Sequence, residues 1–240
     1  MVQSTSSISV IVPAYNEEKW LGTTLPAIWN YLRDHYADFE LIVVDDGSAD
    51  STASIAQEFA KEHAGTRLIS HNPNRGKGYT VREGVLEARK DLVLFCDADF
   101  ATPIEETENL EAQINAGFDI AIASRAVSGS QLMIHQPWYR EYGGRTLNKI
   151  VQLMAVPGIH DTQCGFKLFR RSVAHEIFSR CREEGWVFDV EVLHIAIRMG
   201  FKIAEVPVHW THKEGSKVRV LRDALRTLVA LMRISQSKIP

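Results

Sequence analysis

The stretch Asp91-Leu92-Val93-Leu94-Phe95-Cys96-Asp97-Ala98-Asp99 sets an apolar run ahead of two acids one residue apart. Four aliphatic or aromatic residues and a cysteine predict a buried strand. In an extended chain residues i and i+2 share a face, so Asp97 and Asp99 can point the same way. Two carboxylates held together repel, and one pKa rises, unless a cation lies between them. An all-oxygen pair at a strand end suits a hard divalent ion, Mg²⁺ or Mn²⁺, with phosphate oxygens completing the shell. A solvated loop after a core strand would carry the same letters, so the surrounding chain has to decide.

Upstream, strand and helix alternate. Ile8 to Val12 is a strand closed by Pro13, and a helix runs from about Glu17 to Tyr36. Phe39 to Val44 is the second strand, ending in Asp45-Asp46-Gly47-Ser48. Asp50-Ser51-Thr52 caps the next helix, to about His63. Arg67 to Ser70 is a short strand, and Asn74-Arg75-Gly76-Lys77-Gly78 is a basic, glycine-rich loop before a helix to Arg89. Downstream, Pro103 opens a helix to about Ala116, and Asp119 to Ala123 is another strand.

This alternation predicts an α/β fold: a Rossmann-like, mostly parallel sheet with helices on both faces. Such sheets bind ligands outside the carboxyl ends of their strands. Here those ends carry Tyr15-Asn16-Glu17, Asp45-Asp46, Asp97-Ala98-Asp99 and Ser124-Arg125. Four polar clusters on one edge favour a ligand site over four unrelated turns.

The second half is less regular. Ser128 to Gln136 reads as a loop, and Trp138 to Val156 as an amphipathic helix carrying Arg140, Arg145 and Lys149. Asp161-Thr162-Gln163-Cys164-Gly165-Phe166-Lys167 leads into a short strand, followed by a helix near Ser172 to Arg180. Gly185-Trp186-Val187-Phe188-Asp189-Val190-Glu191 opens a helix to about Met199. Ile203 to Pro207 is a strand whose proline suits a sheet edge. His209 to Lys217 is a basic loop, and an amphipathic helix runs from about Val218 to Ile234. Its arginines recur against a leucine-rich face, as in a helix lying among lipid headgroups or packed on its own domain.

The 240 residues, 45% apolar and 24% charged, fit an ordinary globular chain with ample length for a core. A net charge of −3 exerts no global pull toward nucleic acid, so any anion site must be local. Cys96, Cys164 and Cys181 lack metal-ligand spacing; with no secretory signal in view they favour a reducing compartment. No apolar run approaches the ~18 residues of a spanning helix. There is no internal repeat or linker, and the expectation is one domain over residues 1–240.

The four strand-end motifs, Val12-Pro13-Ala14-Tyr15-Asn16-Glu17, Val44-Asp45-Asp46-Gly47-Ser48, Asn74-Arg75-Gly76-Lys77-Gly78 and Asp97-Ala98-Asp99, together resemble the inverting glycosyltransferases of family 2, with the GT-A fold. Asp161 to Phe169 and Gly185 to Leu193 are similar to the dolichyl-phosphate β-glucosyltransferase branch, whose relatives are the dolichyl-phosphate mannose synthases. Two departures stand out. Ala101 occupies the place of a glutamine that helps hold metal in the mannose synthases. The eukaryotic glucosyl enzymes carry an N-terminal membrane anchor, and none is expected here.

The resemblance implies transfer of a sugar, glucose from UDP-glucose ahead of mannose from GDP-mannose, to a polyprenyl phosphate with inversion. A family 2 transferase with a non-lipid acceptor is the alternative. Residues 8–125 would bind the nucleotide-sugar, and residues 126–240 the acceptor and a membrane surface, placing the protein peripherally at a cytoplasmic membrane face. Pro13, Tyr15 and Glu17 would frame base and ribose, Asp46 the edge of the base, and Asp45 the fold around it. Asp97 and Asp99, flanking Ala98, would hold Mg²⁺ or Mn²⁺ against the diphosphate. Lys77 would contact base or diphosphate, or simply be solvated. Arg125, Arg145 and Arg140 would bind the acceptor phosphate, the last two having a solvated helix face as the alternative. Ser216 and Lys217 resemble a loop closing over the diphosphate, with Ser216 on the acceptor phosphate. Asp189 would orient acceptor or sugar, and Asp161 would bind sugar hydroxyls or cap its own turn. Oligomeric state stays open.

Overall fold

The computed structural model describes residues 4–132, 155–211 and 229–236. The first half runs β1 (Ile8–Ala14), α1 (Glu18–His35), β2 (Phe39–Asp45), α2 (Thr52–Glu62), β3 (Thr66–Ser70), α3 (Lys77–Leu86) and β4 (Leu92–Cys96). A 3₁₀ turn at Ile104–Glu106 then leads to α4 (Thr107–Asn115) and β5 (Ile120–Ser124). Next come β6 (Gln131–Leu132), β7 (Phe166–Arg170), α5 (Arg171–Phe178), α6 (Phe188–Arg198), β8 (Ile203–Pro207) and β9 (His209–Trp210). Residues 229–235 form a last helix, α7.

Seven strands make one sheet in the order β3-β2-β1-β4-β7-β5-β8. All pairings are parallel except those of β7, which runs against β4 on one side and β5 on the other. The mostly parallel α/β sheet is therefore as expected, and β8 with Pro207 forms its edge.

The strands are near-continuous apolar runs because both faces are covered. Val10, Val12, Leu41, Val43, Leu94 and Cys96 belong to one buried cluster. Their neighbours Ile11, Ile42, Val44, Val93 and Phe95 belong to the other, so the period of two delivers alternate residues to two helical layers.

Two details differ from the sequence reading, and a third bears on a choice it left open. Helix α3 ends at Leu86 rather than Arg89. The segments read as loops around 131 and 209 pair in parallel as β6 and β9. In α7, Ala230, Leu231 and Ile234 are buried in the core while Val229 and Met232 are exposed, so one face packs on the protein itself. Arg140, Arg145, Ser216 and Lys217 lie outside the described residues, as do most of the helix expected from Trp138 and the start of that expected from Val218. Among the described residues no helix is long and apolar enough to cross a membrane.

Candidate active site

The carboxyl ends of β1, β2, β4 and β5 meet on one edge because those strands run the same way. Strand β7 runs the other way, so its beginning arrives at that edge too and brings Asp161 to Gly165 with it. The Asp97 amide donates to the Gly165 carbonyl at 3.0 Å, which fixes the two turns against each other. A Cβ at Gly165 would collide with the Asp97 carboxylate, so glycine there lets that side chain keep its place.

Three cation–carboxylate pairs gather here. Lys77 Nζ lies 2.5 Å from Asp97 Oδ1. Lys167 Nζ donates to Asp189 Oδ1 at 2.6 Å and to the Cys164 carbonyl at 2.7 Å, with the lysine side chain sealed from solvent. Arg125 grips Asp161 with a fork, Nε to Oδ2 at 2.7 Å and Nη2 to Oδ1 at 2.9 Å, and adds its own amide at 2.9 Å. Asp99 is a further carboxylate here and has no ion pair among the described residues; its Oδ1 accepts the Ala101 amide at 3.0 Å.

The titration shifts follow from this arrangement. Burial pushes the Asp99 pKa up and the neighbouring Asp97 charge pushes it further, against the pull of the Ala101 amide and Lys77. Burial works against the charge on Lys77, but Asp97 and Asp189 outweigh it and hold its pKa above the usual lysine value. Burial also raises Asp189, with Lys167 and Lys77 opposing. For Asp161 the Arg125 guanidinium overcomes the effect of burial and keeps the carboxyl below the usual range.

Among the described residues these four carboxylates face three cations, and the acid without an ion pair is Asp99, beside Asp97. Asp97 Oδ1 is buried and is met by the Lys77 ammonium at 2.5 Å. Two neighbouring carboxylates, one of them half-buried and without an ion pair among the described residues, fit a hard cation. Among the described residues no cluster of three or more His, Cys, Asp or Glu would hold a metal alone. An ion held by the pair would take further ligands such as phosphate oxygens.

Asp46 does something other than expected. Its Oδ1 accepts His71 Nε2 at 2.7 Å and the Arg75 amide at 2.7 Å. Its Oδ2 accepts Asn74 Nδ2 at 2.8 Å and the Gly76 amide at 2.8 Å. The carboxylate thus accepts four hydrogen bonds and braces the glycine loop. Asp45 is buried and caps its own turn, accepting the Ser48 amide at 3.3 Å.

The loop's glycines serve packing. At Gly76, with φ +105°, and at Gly78 a side chain would strike the backbone of Glu183 to Gly185. The Gly78 and Tyr79 amides donate to the Glu184 carbonyl at 2.8 and 3.2 Å. The start of α3 is thus occupied by protein, and Lys77 reaches the acids from there.

Pro13 is buried in β1 in register with Val44, and Tyr15 is exposed just beyond. The Glu17 amide donates to Thr52 Oγ1 at 2.8 Å. Among the described residues two that are not glycine have left-handed backbones, Asn16 at φ +53° and Phe100 at φ +56°, each at a strand end of this edge. Such strain concentrates at ligand sites and persists only where surroundings enforce it. Ser48 Oγ accepts the Asn16 amide and Asn16 Oδ1 the Ala49 amide, at 2.9 and 2.8 Å. Thr24 Oγ1 donates to the Ala98 carbonyl at 2.9 Å, steadying the turn from below.

Asp161 caps its own turn, accepting the Gln163 amide at 3.2 Å, as well as pairing with Arg125. Glu205 on β8 supports it by accepting the Asp161 amide at 3.0 Å. Glu191 accepts the Arg182 and Glu183 amides at 2.9 and 2.7 Å, holding the loop that packs on the glycines. Lys167 and Glu205 were not singled out from the sequence. A lysine inside Phe166-Lys167-Leu168-Phe169, a strand buried on both faces, is the signal that would have found the first.

The profile of the glycosyl transferase family 2 domain matches residues 9–178. The chain belongs to glycosyl transferase family 2. This family 2 glycosyltransferase is 39% identical over 227 residues to the human dolichyl-phosphate beta-glucosyltransferase, covering 89% of this chain and 70% of that protein. The Saccharomyces cerevisiae protein of the same name is 35% identical over 240 residues, covering 91% of this chain and 71% of its own. Among solved structures, glucosyl-3-phosphoglycerate synthase from Mycobacterium tuberculosis, in complex with Mn²⁺, UDP and glucosyl-3-phosphoglycerate, superposes with a TM-score of 0.70 at 21% identity. That match covers 96% of this chain and 80% of the other. Mannosyl-3-phosphoglycerate synthase from Rubrobacter xylanophilus gives 0.69 at 18% identity, covering 95% and 72%. These neighbours bear out the GT-A fold of the family 2 glycosyltransferase.

Proposed function

We propose that this glycosyltransferase moves glucose from UDP-glucose to a polyprenyl phosphate, such as dolichyl phosphate, with inversion at the anomeric carbon. The observation that carries this is the neighbouring pair Asp97 and Asp99, the second without an ion pair among the described residues, at the strand edge of a chain 35–39% identical to dolichyl-phosphate beta-glucosyltransferases. Mg²⁺ or Mn²⁺ would be held by these two acids and a diphosphate, and when bound it supplies a Lewis acid that draws charge from the leaving group.

The remaining work falls to the chain. An oxygen of the acceptor phosphate attacks the anomeric carbon from the face opposite the diphosphate; the new carbon–oxygen bond forms as the bond to the diphosphate breaks. A phosphate monoester has a second pKa of about 6, so it arrives largely ionised and needs alignment more than a strong base. Asp189 supports that alignment, with Lys77 and Asp97 in electrostatic reach. Arg125, its fork taken up by Asp161, keeps spare N–H groups for an acceptor oxygen. Tyr15, Glu17 and the braced glycine loop frame the nucleotide.

The lipid acceptor places the work at a membrane surface, with Val229 and Met232 exposed on α7 as apolar contacts. We assign it to a cytoplasmic face. Incubation with UDP-[¹⁴C]glucose, GDP-[¹⁴C]mannose or each with polyprenyl phosphate separates the readings. Label from UDP-glucose in the organic phase supports the proposal. Label from GDP-mannose alone changes the sugar, and label only in a water-soluble product moves the acceptor to a non-lipid phosphate.

A further inference from the structure

Lys167 sits where a strand interior has no use for a charge. Its side chain is 0% exposed and lies between Phe95, with the ammonium 5.2 Å from the ring centre, and the acid end of α6. Burying an ammonium is costly unless it is paired and hydrogen-bonded, and here it is both. It bonds Asp189 Oδ1 at 2.6 Å and the Cys164 carbonyl at 2.7 Å. Cys164 directly precedes Gly165, whose carbonyl takes the Asp97 amide and whose Cα leaves room for the Asp97 carboxylate. One buried cation thus ties the first turn of α6 to the turn that seats Asp97.

A pair that served stability alone would be replaceable by apolar side chains of similar volume, often without loss. Its location argues for more. Asp189 is 3% exposed yet within electrostatic reach of Lys77 and Asp97, so its position is part of the site's charge pattern. Among the described residues Lys167 is the one directed partner of the buried Asp189 carboxylate, which without it would be free to turn away.

We propose that Lys167 is a positioning residue for the transfer reaction: it holds the Asp189 carboxylate, and through Cys164 the Asp97 turn, in the productive arrangement. The inference rests on the proposed role of Asp189 in aligning the acceptor. Lys167 itself is sealed off and touches no substrate.

A double-mutant cycle tests it, with turnover measured per folded molecule well below the unfolding temperature and on whichever donor and acceptor the wild type uses. Lys167→Met lowers kcat by about 10²-fold, the cost of misplacing a reacting group by about an ångström. KM for the nucleotide-sugar moves less than about threefold. Asp189→Asn lowers kcat comparably, and Lys167→Met/Asp189→Asn is no worse than the more damaged single variant, because both act through one carboxylate. Multiplying losses in the double variant, or an unchanged kcat in Lys167→Met, overturns the role of Lys167. If Lys167→Met fails to fold, the double variant, which buries no lone charge, is compared with Asp189→Asn: equal kcat supports the role and lower kcat overturns it. A wild type inactive on UDP-glucose and polyprenyl phosphate but active on another pair counts against the proposed function alone.

Discussion

The Asp97 carboxylate fills the space that a side chain at residue 165 would take: a Cβ on Gly165 would overlap Asp97 Oδ2. The two residues come from antiparallel neighbours, the end of β4 and the approach to β7. Gly165→Ala is expected to swing the Asp97 side chain out of place while β4 and β7 keep their register. Transfer falls by about 10²-fold, and overpacking costs about 1–3 kcal/mol of stability. Kinetics beside a thermal melt checks this: near-normal activity would mean that Asp97 has room to spare.

Asp99 gives a stability prediction with a definite sign. Its folded pKa is raised by burial and by Asp97. The folded state therefore keeps a proton that the unfolded chain has released, and stability falls as pH rises from the ordinary aspartate value of about 3.9 toward the raised one. In metal-free buffer Asp99→Asn is expected to melt higher than wild type at neutral pH, the gap closing as pH drops to about 4. Asp189→Asn should melt lower, since it strands the Lys167 ammonium. Melting curves of both variants across pH decide; a destabilised Asp99→Asn would show that its charge is already compensated.

Asp46→Ala removes the acceptor of four hydrogen bonds at once and leaves the 71–76 loop with unsatisfied donors. A loss of roughly 2–4 kcal/mol is expected, with a weakened grip on the nucleotide-sugar. Denaturant melts and donor KM report on the two effects. A variant that loses only donor binding would return Asp46 to the base-edge role.

How far the fold could be read depends on which contacts are local. Strand, helix and turn alternate visibly because Ile8 to Val12, Phe39 to Val44 and Leu92 to Cys96 are apolar throughout and each is followed by turn chemistry. The place of β7 was hidden. Nothing in Phe166 to Arg170 says that this strand enters between β4 and β5 and runs against both, since sheet order is set by contacts far along the chain. The edge bearing the acids was legible from direction alone. The partners of those acids were not: Lys167 looks like any lysine until the strand is known to be covered on both faces. Asp46 likewise looks available until the loop thirty residues on folds over it. The tight motif Asn74 to Gly78 reads as a ligand loop, but its glycines answer to the backbone of Glu183 to Gly185.

Arg125→Lys keeps the charge and loses the fork. A lysine offers no two parallel donors to Asp161, so the turn at Asp161 to Gln163 loosens although the pairing by charge survives. We expect about 1–3 kcal/mol less stability and a fall of tenfold or more in kcat. Full activity in this variant would place the fork outside the machinery for transfer.

The most direct test of the account is glucose transfer from UDP-[¹⁴C]glucose into organic-extractable polyprenyl phosphate, measured for wild type with Mn²⁺, wild type with EDTA, and Asp99→Ala with Mn²⁺. The account predicts label in the lipid only for wild type with the ion, Asp99→Ala remaining folded and inactive. Undiminished transfer in EDTA, or in Asp99→Ala, would contradict it.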